Sequence, residues 1–399
     1  MEPGTWTGNE TRITRLREAM EREKVDALAC RLAENVLFLS GYWPICGWVY
    51  IVFPREGRPA CILPDTELQE AQSELWDADC FPYPFGRLAA GDQRTEIVRS
   101  LSSLARGRNW RRIGYEGTFD MLAPAGNAAE VCVPHEGSRA LLAEAFGRAV
   151  LIDARPLLED QRSRKTLYEV GRIRIANEAA GIGLAAFREK AVPGITAVEL
   201  AAQVESSIMV RGTLSGAARR VRSWAQVAAG REETSRAWRP AEITTDRIVQ
   251  NGDVVMLELA VVADGYWSDR TRTVVAGRVS PRLAEVFDAV NRAQARAVKA
   301  AAPGVPCAEV DAAARGVMRD AGFEKEFLHA TGHGTGFRYH EPHPMIAPGS
   351  RETLREGMIH SVEPGAYSVE FGGVRTEDDV VITGTGAEVL GPFDADQQL

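Results

Sequence analysis

Gly252-Asp-Val-Val-Met-Leu-Glu258-Leu-Ala-Val-Val-Ala-Asp264-Gly265-Tyr-Trp-Ser-Asp269-Arg-Thr-Arg-Thr273 is a pair of strand-like runs folded back on one turn signal. An Asp-Gly pair between such runs marks a two-residue hairpin, because both turn residues must accept positive φ. A turn on Asp264-Gly265 sets Ala260 opposite Asp269 and Glu258 opposite Thr271. Side chains alternate between faces along a strand, so Glu258 and Asp269 become diagonal neighbours on one face. A carboxylate inside an apolar strand is costly unless it is paired or holds a cation. Two on one face repel, raising a pKa, unless a cation lies between them. A plainer reading stays open, in which both carboxylates face solvent or pair with Arg270 and Arg272.

Downstream, His329-Ala-Thr-Gly-His333-Gly-Thr-Gly-Phe-Arg-Tyr-His340-Glu-Pro-His343 holds four of the six histidines of the chain within fifteen residues. Histidine is the commonest metal ligand and the usual proton carrier near neutral pH. Glycines on both sides of His333 allow a close backbone approach. The Gly332-x-Gly334-x-Gly336 pattern lacks the spacing and the strand–helix setting of a dinucleotide loop. Two more acidic positions follow, Glu363 in Gly357-Met-Ile-His-Ser-Val-Glu-Pro-Gly-Ala-Tyr367 and Glu377 in Gly372-Gly-Val-Arg-Thr-Glu-Asp-Asp-Val-Val-Ile-Thr383. Pro-Gly after Glu363 stops a strand at that point. Asp378 and Asp379 compete with Glu377 as the ligand, alternation placing Glu377 and Asp379 on one face and Asp378 on the other. Four carboxylates and an imidazole form a hard donor set suited to Mn²⁺, Fe²⁺, Co²⁺ or Zn²⁺ in a two-metal site. Such a pair clamps a hydroxide and polarises a carbonyl.

The 399 residues, 45% hydrophobic and 26% charged, are those of a globular protein of two or three domains. A net charge of -8 argues against nucleic acid and against an anionic membrane surface as partners. No apolar run reaches membrane-spanning length and the N-terminus does not read as a signal peptide, so a cytosolic protein is expected. Six scattered cysteines without a C-x-x-C pair read as reduced, mostly buried thiols. An α/β domain is expected over residues 1–158, with helices at about 11–24, 96–104 and 140–146 and strands at 25–29, 60–63, 112–115 and 150–153; 35–41 and 47–53 read as strands and turns. An α+β domain is expected over 159–399, opening on one long helix from Arg162 to Glu189. Helices follow over 196–209, 281–301 and 307–321, covering a mainly antiparallel sheet.

In order and spacing these clusters resemble the creatinase/prolidase/methionine aminopeptidase superfamily, the pita-bread fold. The match rests on acidic residues 11 apart, Gly-His-Gly-x-Gly with a further histidine seven residues on, Glu-Pro-Gly, and Gly-Val-Arg-x-Glu-Asp. More weakly, Arg15-Leu16, Met20, Asp26-Ala-Leu28, Asn35 and Leu39-Ser-Gly-Tyr42 resemble the α/β domain that prolidase and creatinase carry. The resemblance implies a pair of divalent ions, manganese first among Mn, Co, Zn and Fe, at Glu258, Asp269, His333, Glu363 and Glu377. It implies that His329 and His340 bind substrate and stabilise the tetrahedral intermediate, and that Glu363 shuttles the proton. Tyr367 and Arg375 would brace the ligands on the substrate side, with Trp238 lining the same pocket. It further implies an Xaa-Pro dipeptidase or aminopeptidase acting on short peptides as a homodimer.

The chain departs from the family twice. Glu258 and Ala260 stand where Asp and Gly are usual, and the longer arm of Glu258 binds one ion only, or binds in a different mode. No histidine occurs between His135 and His329, and Trp238 fills the place of a residue that is catalytic in creatinases. An indole donates one hydrogen bond but shuttles no proton. Core packing is the plain alternative for Trp238. Two other readings therefore stand beside the peptidase. One is a hydrolase of a non-peptide C–N bond in a small metabolite, creatinase- or ectoine-hydrolase-like. The other is a non-catalytic binding protein on the same fold.

Overall fold

The computed structural model describes residues 10–46, 48–86, 92–117, 136–239 and 244–391. Among them the chain forms two units that divide between Arg162 and Ser163. Cys132 and the first nine residues lie outside the described residues. Cys30, Cys61 and Cys307 are buried free thiols, Cys80 is half-buried and Cys46 exposed.

The first unit carries helices α1 (Glu10–Arg22), α2 (Ala33–Ser40), α3 (Leu68–Glu74), α4 (Gln93–Ala105), α5 (Glu136–Phe146) and α6 (Arg155–Ser163). Its strands are β1 (Ala27–Cys30), β2 (Tyr50–Pro54), β3 (Ala60–Pro64), β4 (Asp79–Tyr83), β5 (Arg112–Tyr115) and β6 (Val150–Asp153). They form one mixed sheet in the order β4-β3-β2-β1-β5-β6. Ile97 and Leu101 of α4 and Leu141 and Leu142 of α5 bury against Tyr50, Val52, Ile62 and Ile113 of the sheet.

Three expectations are corrected near this unit. Ala33–Ser40 is helical; the four-residue apolar run Val36 to Leu39, all buried, has no period of its own to announce it. Gly41 at φ 78° closes that helix, its N–H donating to the Leu37 carbonyl at 2.8 Å. The strand expected from Gly47 begins at Tyr50, and Gly47 itself lies outside the described residues. The long helix expected from Arg162 is broken as well. It ends at Ser163, and α7 (Leu167–Lys190) starts afresh from Thr166, whose side chain and that of Glu169 cap each other's backbone N–H.

In the second unit α7 is followed by α8 (Ala197–Ser207), β7 (Val221–Ala229), α9 (Gly230–Thr234), β8 (Val254–Ala263), β9 (Tyr266–Val275), α10 (Pro281–Ala300) and α11 (Cys307–Asp320). Then come β10 (Gly332–Gly334), β11 (Glu341–Ile346), β12 (Ile359–Val362), β13 (Gly365–Ser368), β14 (Gly372–Arg375), β15 (Asp378–Ile382) and β16 (Ala387–Val389). Strands β7-β8-β9 form one antiparallel sheet and β11-β10-β12-β15-β16 another, with β13-β14 as a separate hairpin.

The hairpin turns where Asp-Gly demands it. Asp264 and Gly265 both have positive φ, at 48° and 87°. Ala260 pairs with Asp269 and Glu258 with Thr271. Alternation then separates two environments. Val255, Leu257, Leu259 and Val261 pack with α7 and α8 in one core, so Glu258 and Ala260 face the other way. Helices α10 and α11 pack with Met358, Val362, Val380 and Ile382 in a second core on the other sheet. An isolated bridge between Thr271 and Glu377 ties the β9 strand to the segment that carries Glu377.

Candidate metal centre

His333 stands at the middle of the site, on the three-residue strand β10. The strand runs so close to its neighbours that a Cβ at Gly332 would lie 1.9 Å from the Ser361 carbonyl oxygen, and one at Gly334 2.0 Å from that of His343. Only glycine fits at either side. The His333 Nδ1–H donates to the Gly334 carbonyl at 2.9 Å, which turns Nε2 inward. Nε2 lies 3.4 Å from Asp269 Oδ2 and 3.4 Å from Glu363 Oε1.

Two groups with metal-ligand geometry share this imidazole. One joins Asp269, His333 and His340; the other joins His333, Glu363 and Glu377, with donor atoms inside each group within 4.8 Å of one another. Asp269 Oδ1 and Glu377 Oε1 are buried without a hydrogen-bond partner among the described residues. The second oxygen of Glu377 accepts from the Thr271 hydroxyl at 2.6 Å. A buried carboxylate oxygen left unpaired is expensive, and a divalent cation satisfies it. The donor set therefore fits a hard divalent ion.

The charges are arranged to match. Burial, then the charges of Asp269 and Glu363, push the Glu377 carboxyl well above the usual range. Asp269 is raised too, mainly by burial. Desolvation of the half-buried Glu363 works to raise it, but His333, His329, Arg375 and His340 hold it below its ordinary value. Burial opposes a charged His333, but its hydrogen bond to Asp269 and the charges of Glu363 and Asp269 prevail and lift it to about 9. Without metal, a proton on His333 offsets part of the crowded negative charge.

A pH prediction follows from the sign of that shift. The folded value lies above the ordinary 6.5, so the stabilisation is complete below about 6.5 and is lost as pH rises through about 9. It amounts to roughly 3 kcal/mol. Glu363, depressed below 4.5, contributes stability that is already in place throughout this window. The metal-free protein should thus melt several degrees lower at pH 9.5 than at pH 6.5, as followed by circular dichroism. Saturating Mn²⁺ should erase the difference, because the ion replaces the proton. An equal melting temperature for the metal-free protein at the two pH values would rule out a charged His333.

Glu258 belongs to neither ligand group. Its Oε1 accepts from the Tyr339 hydroxyl and its Oε2 from Arg375 Nη2, both at 2.7 Å. Arg375 is held at every nitrogen: Nε donates to the Thr271 hydroxyl, and Nη1 to the Tyr367 hydroxyl and the Ala237 carbonyl. The Tyr367 hydroxyl in turn donates to His329 Nε2 at 2.9 Å, since His329 Nδ1 must donate to the Ala330 carbonyl. Burial keeps His329 below its ordinary value, and its Nδ1 lies 3.9 Å from Glu363 Oε2. Arg270 and Arg272 pair with Asp378 rather than with Glu258 or Asp269. Asp379 accepts from the Asp269 backbone N–H at 3.0 Å, and neither Asp378 nor Asp379 joins a ligand group.

Trp238 is 39% exposed, which is not the burial of a core residue. It follows Ala237, whose carbonyl holds Arg375, and the Arg239 guanidinium lies 5.8 Å above its ring. Sequence reasoning missed β7 and what it brings. Trp224 and Gln226 lie in register with Ala260 and Glu258, on the face that carries Asp269. Trp224 stacks on Trp267 at 5.4 Å, and Tyr339 continues the aromatic wall. The signal lay in Arg222-Ser-Trp-Ala-Gln226, which alternates in polarity too weakly to announce a strand.

Comparison with known proteins agrees with this geometry. The family described as "Metallopeptidase family M24" matches residues 171–384, and "Creatinase/Prolidase N-terminal domain" matches residues 12–164. An Xaa-Pro dipeptidase from Pyrococcus furiosus is 30% identical over 380 residues, covering 95% of this chain and 97% of that protein. Among solved structures, the prolidase from Pyrococcus horikoshii OT3 superposes with a TM-score of 0.77 at 26% identity, covering 96% of this chain and 99% of that one. The dipeptidase PepE from Mycobacterium ulcerans does so with a TM-score of 0.72 at 28% identity, covering 98% of both chains. No helix among the described residues is long and apolar enough to cross a membrane. A hydrolytic, divalent-metal site on a pita-bread scaffold is what the residues and their relatives have in common, and the chain belongs to metallopeptidase family M24, with a creatinase/prolidase N-terminal domain.

Proposed function

We propose that this protein is a metal-dependent peptidase that cleaves Xaa-Pro dipeptides and related short peptides. The observation that carries the reading is the pair of ligand groups sharing His333, with unpaired, buried oxygens on Asp269 and Glu377. Asp269, His333, Glu363 and Glu377 are the residues that would hold a divalent ion, manganese first among Mn, Co, Zn and Fe. Glu258 is the position that the resemblance gives to a second ion. Bound there, the metal supplies acidification of a water and polarisation of the scissile carbonyl.

The protein's own residues do the rest. Glu363 takes the proton of the attacking water and passes it to the departing amine, one carboxylate oxygen facing His333 and the other His329. His329, neutral and fixed between Ala330 and Tyr367, steadies the substrate carbonyl side; His340, its ring 4.3 Å from that of His333, completes the pocket. Arg375 and Tyr367 keep these groups in register. Trp238 offers an exposed indole on which a prolyl ring packs. The family resemblance extends the proposal to a cytosolic homodimer, which light scattering would report as twice 43.5 kDa.

The test is hydrolysis of Xaa-Pro and Xaa-Ala dipeptides by metal-stripped protein reloaded with Mn²⁺. Xaa-Pro substrates should be cleaved, and Glu363→Ala should lower kcat by at least about 10³. A protein that binds Mn²⁺ yet cleaves nothing in the panel would overturn the substrate class. Glu258 and Trp238 would then direct the search to C–N bonds of small guanidino or cyclic amidine metabolites.

A further inference from the structure

We propose that Asp311 and Arg315 on α11 are positioning residues, a clamp that holds His329 where it meets the substrate carbonyl. The proposal rests on the metallopeptidase reading above for what His329 does, and on geometry alone for what holds it. His329 lies within residues 327–331, which belong to no helix or strand. Such a segment has no ladder of its own, so groups from elsewhere must partner its main chain. Asp311 and Arg315 are four apart on one face of α11, and Arg315 Nε donates to Asp311 Oδ2 at 2.8 Å. The rest of the guanidinium reaches the segment: Nη1 donates to the Phe327 carbonyl at 3.2 Å and Nη2 to the His329 carbonyl. Asp311, 1% exposed, turns its other oxygen to Thr331, accepting from the hydroxyl at 2.8 Å and from the backbone N–H at 3.3 Å.

The segment is thus gripped at Phe327, His329 and Thr331, with His329 in the middle. The side chains are tied to the same point. The Arg315 guanidinium lies 4.2 Å from the centroid of the Phe327 ring, and that ring meets the His329 imidazole edge-on at 5.5 Å. Beyond the clamp, the Thr331 carbonyl accepts from the Glu363 backbone N–H at 2.8 Å, which links the segment to the residue proposed to carry the proton. The task calls for arginine. Its planar fork donates in fixed directions to three acceptors at once, whereas an ammonium on a flexible stem fixes no such geometry. Asp311 belongs to neither ligand group, so loosening the clamp displaces His329 without removing a metal donor.

The experiment is a double-variant cycle on the Mn²⁺-loaded full chain, read as kcat and KM on an Xaa-Pro dipeptide, with folding checked by circular dichroism. Arg315→Lys should lower kcat by at least about tenfold and leave KM within about threefold. In a His329→Ala background the same change should cost less than about threefold, because its effect runs through a side chain no longer there. An arginine that only supports the fold would cost the same factor in both backgrounds. Asp311→Asn keeps an acceptor for Thr331 but loosens the hold on Arg315, and should lower kcat in the same direction by less. A second readout needs no turnover: spectra of the zinc-loaded chain labelled with ¹⁵N-histidine, the His329 signal being the one lost in His329→Ala. Arg315→Lys should displace that signal. Equal losses in the two backgrounds, or a His329 signal at its wild-type position in Arg315→Lys, would overturn this inference and leave the peptidase reading intact. A displaced signal in a chain that cleaves no dipeptide would overturn the substrate reading and leave the clamp standing.

Discussion

His333→Ala should leave the protein unable to retain a divalent ion through dialysis and should lower kcat/KM on Xaa-Pro dipeptides by at least about 10⁴, or about 5.5 kcal/mol of transition-state stabilisation. No other residue belongs to both ligand groups among the described residues. Its Nε2 is equidistant, at 3.4 Å, from Asp269 Oδ2 and Glu363 Oε1, so its loss opens both groups at once. The variant also loses the imidazolium that offsets the carboxylates, so its metal-free form should be less stable than wild type at pH 6.5 and similar to it at pH 9.5. Full metal retention with activity within tenfold of wild type would remove His333 from the ligand set.

Lys165→Met should destabilise the protein by about 3–5 kcal/mol. Lys165 Nζ contacts Glu341 Oε2 at 2.6 Å, and the two side chains are 0% and 3% exposed. A cation so buried is tolerated only with its partner, and removing it takes the lysine charge away from a carboxylate in the interior. Glu341 directly follows His340, so the damage should reach the site as a raised KM. Adding Glu341→Leu removes the buried negative charge as well and should restore part of the stability. Urea unfolding of the single and double variants measures both effects. A cost below 1 kcal/mol for the single change would mean that water reaches the pair.

How far the sequence foretold these features depends on the distance over which each is decided. The β8–β9 register was readable because Asp264-Gly265 fixes it locally, and with it the shared face of Glu258 and Asp269. Four histidines among fifteen residues marked the β10 region without any knowledge of the fold. The helix over Ala33–Ser40 was not readable, since its apolar run is shorter than two turns and carries no period. The break before α7 was hidden because Arg164 and Lys165 do not disrupt a helix by propensity; Thr166 and Glu169 carried the only start signal. The fate of Glu258 was hidden for a different reason. Its partners Tyr339 and Arg375 are 81 and 117 positions away, and no local pattern reports what a side chain meets across a fold.

The dispersal of the candidate ligands also shapes how the protein is made and unmade. Asp269 belongs to one sheet and His333 to a strand of the other, Glu363 directly follows β12, and Glu377 directly precedes β15 and is bridged to Thr271 of β9. No single hairpin can assemble more than a fragment of the donor set, so partly folded chains have no place to hold an ion. Such long-range closure is slow, and it makes the folding barrier a matter of topology. Binding an ion only in the finished state stabilises that state by mass action and leaves the precursors untouched. Metal release during denaturation is then a clock for the cooperative opening of the entire second unit, read directly with a coloured chelator.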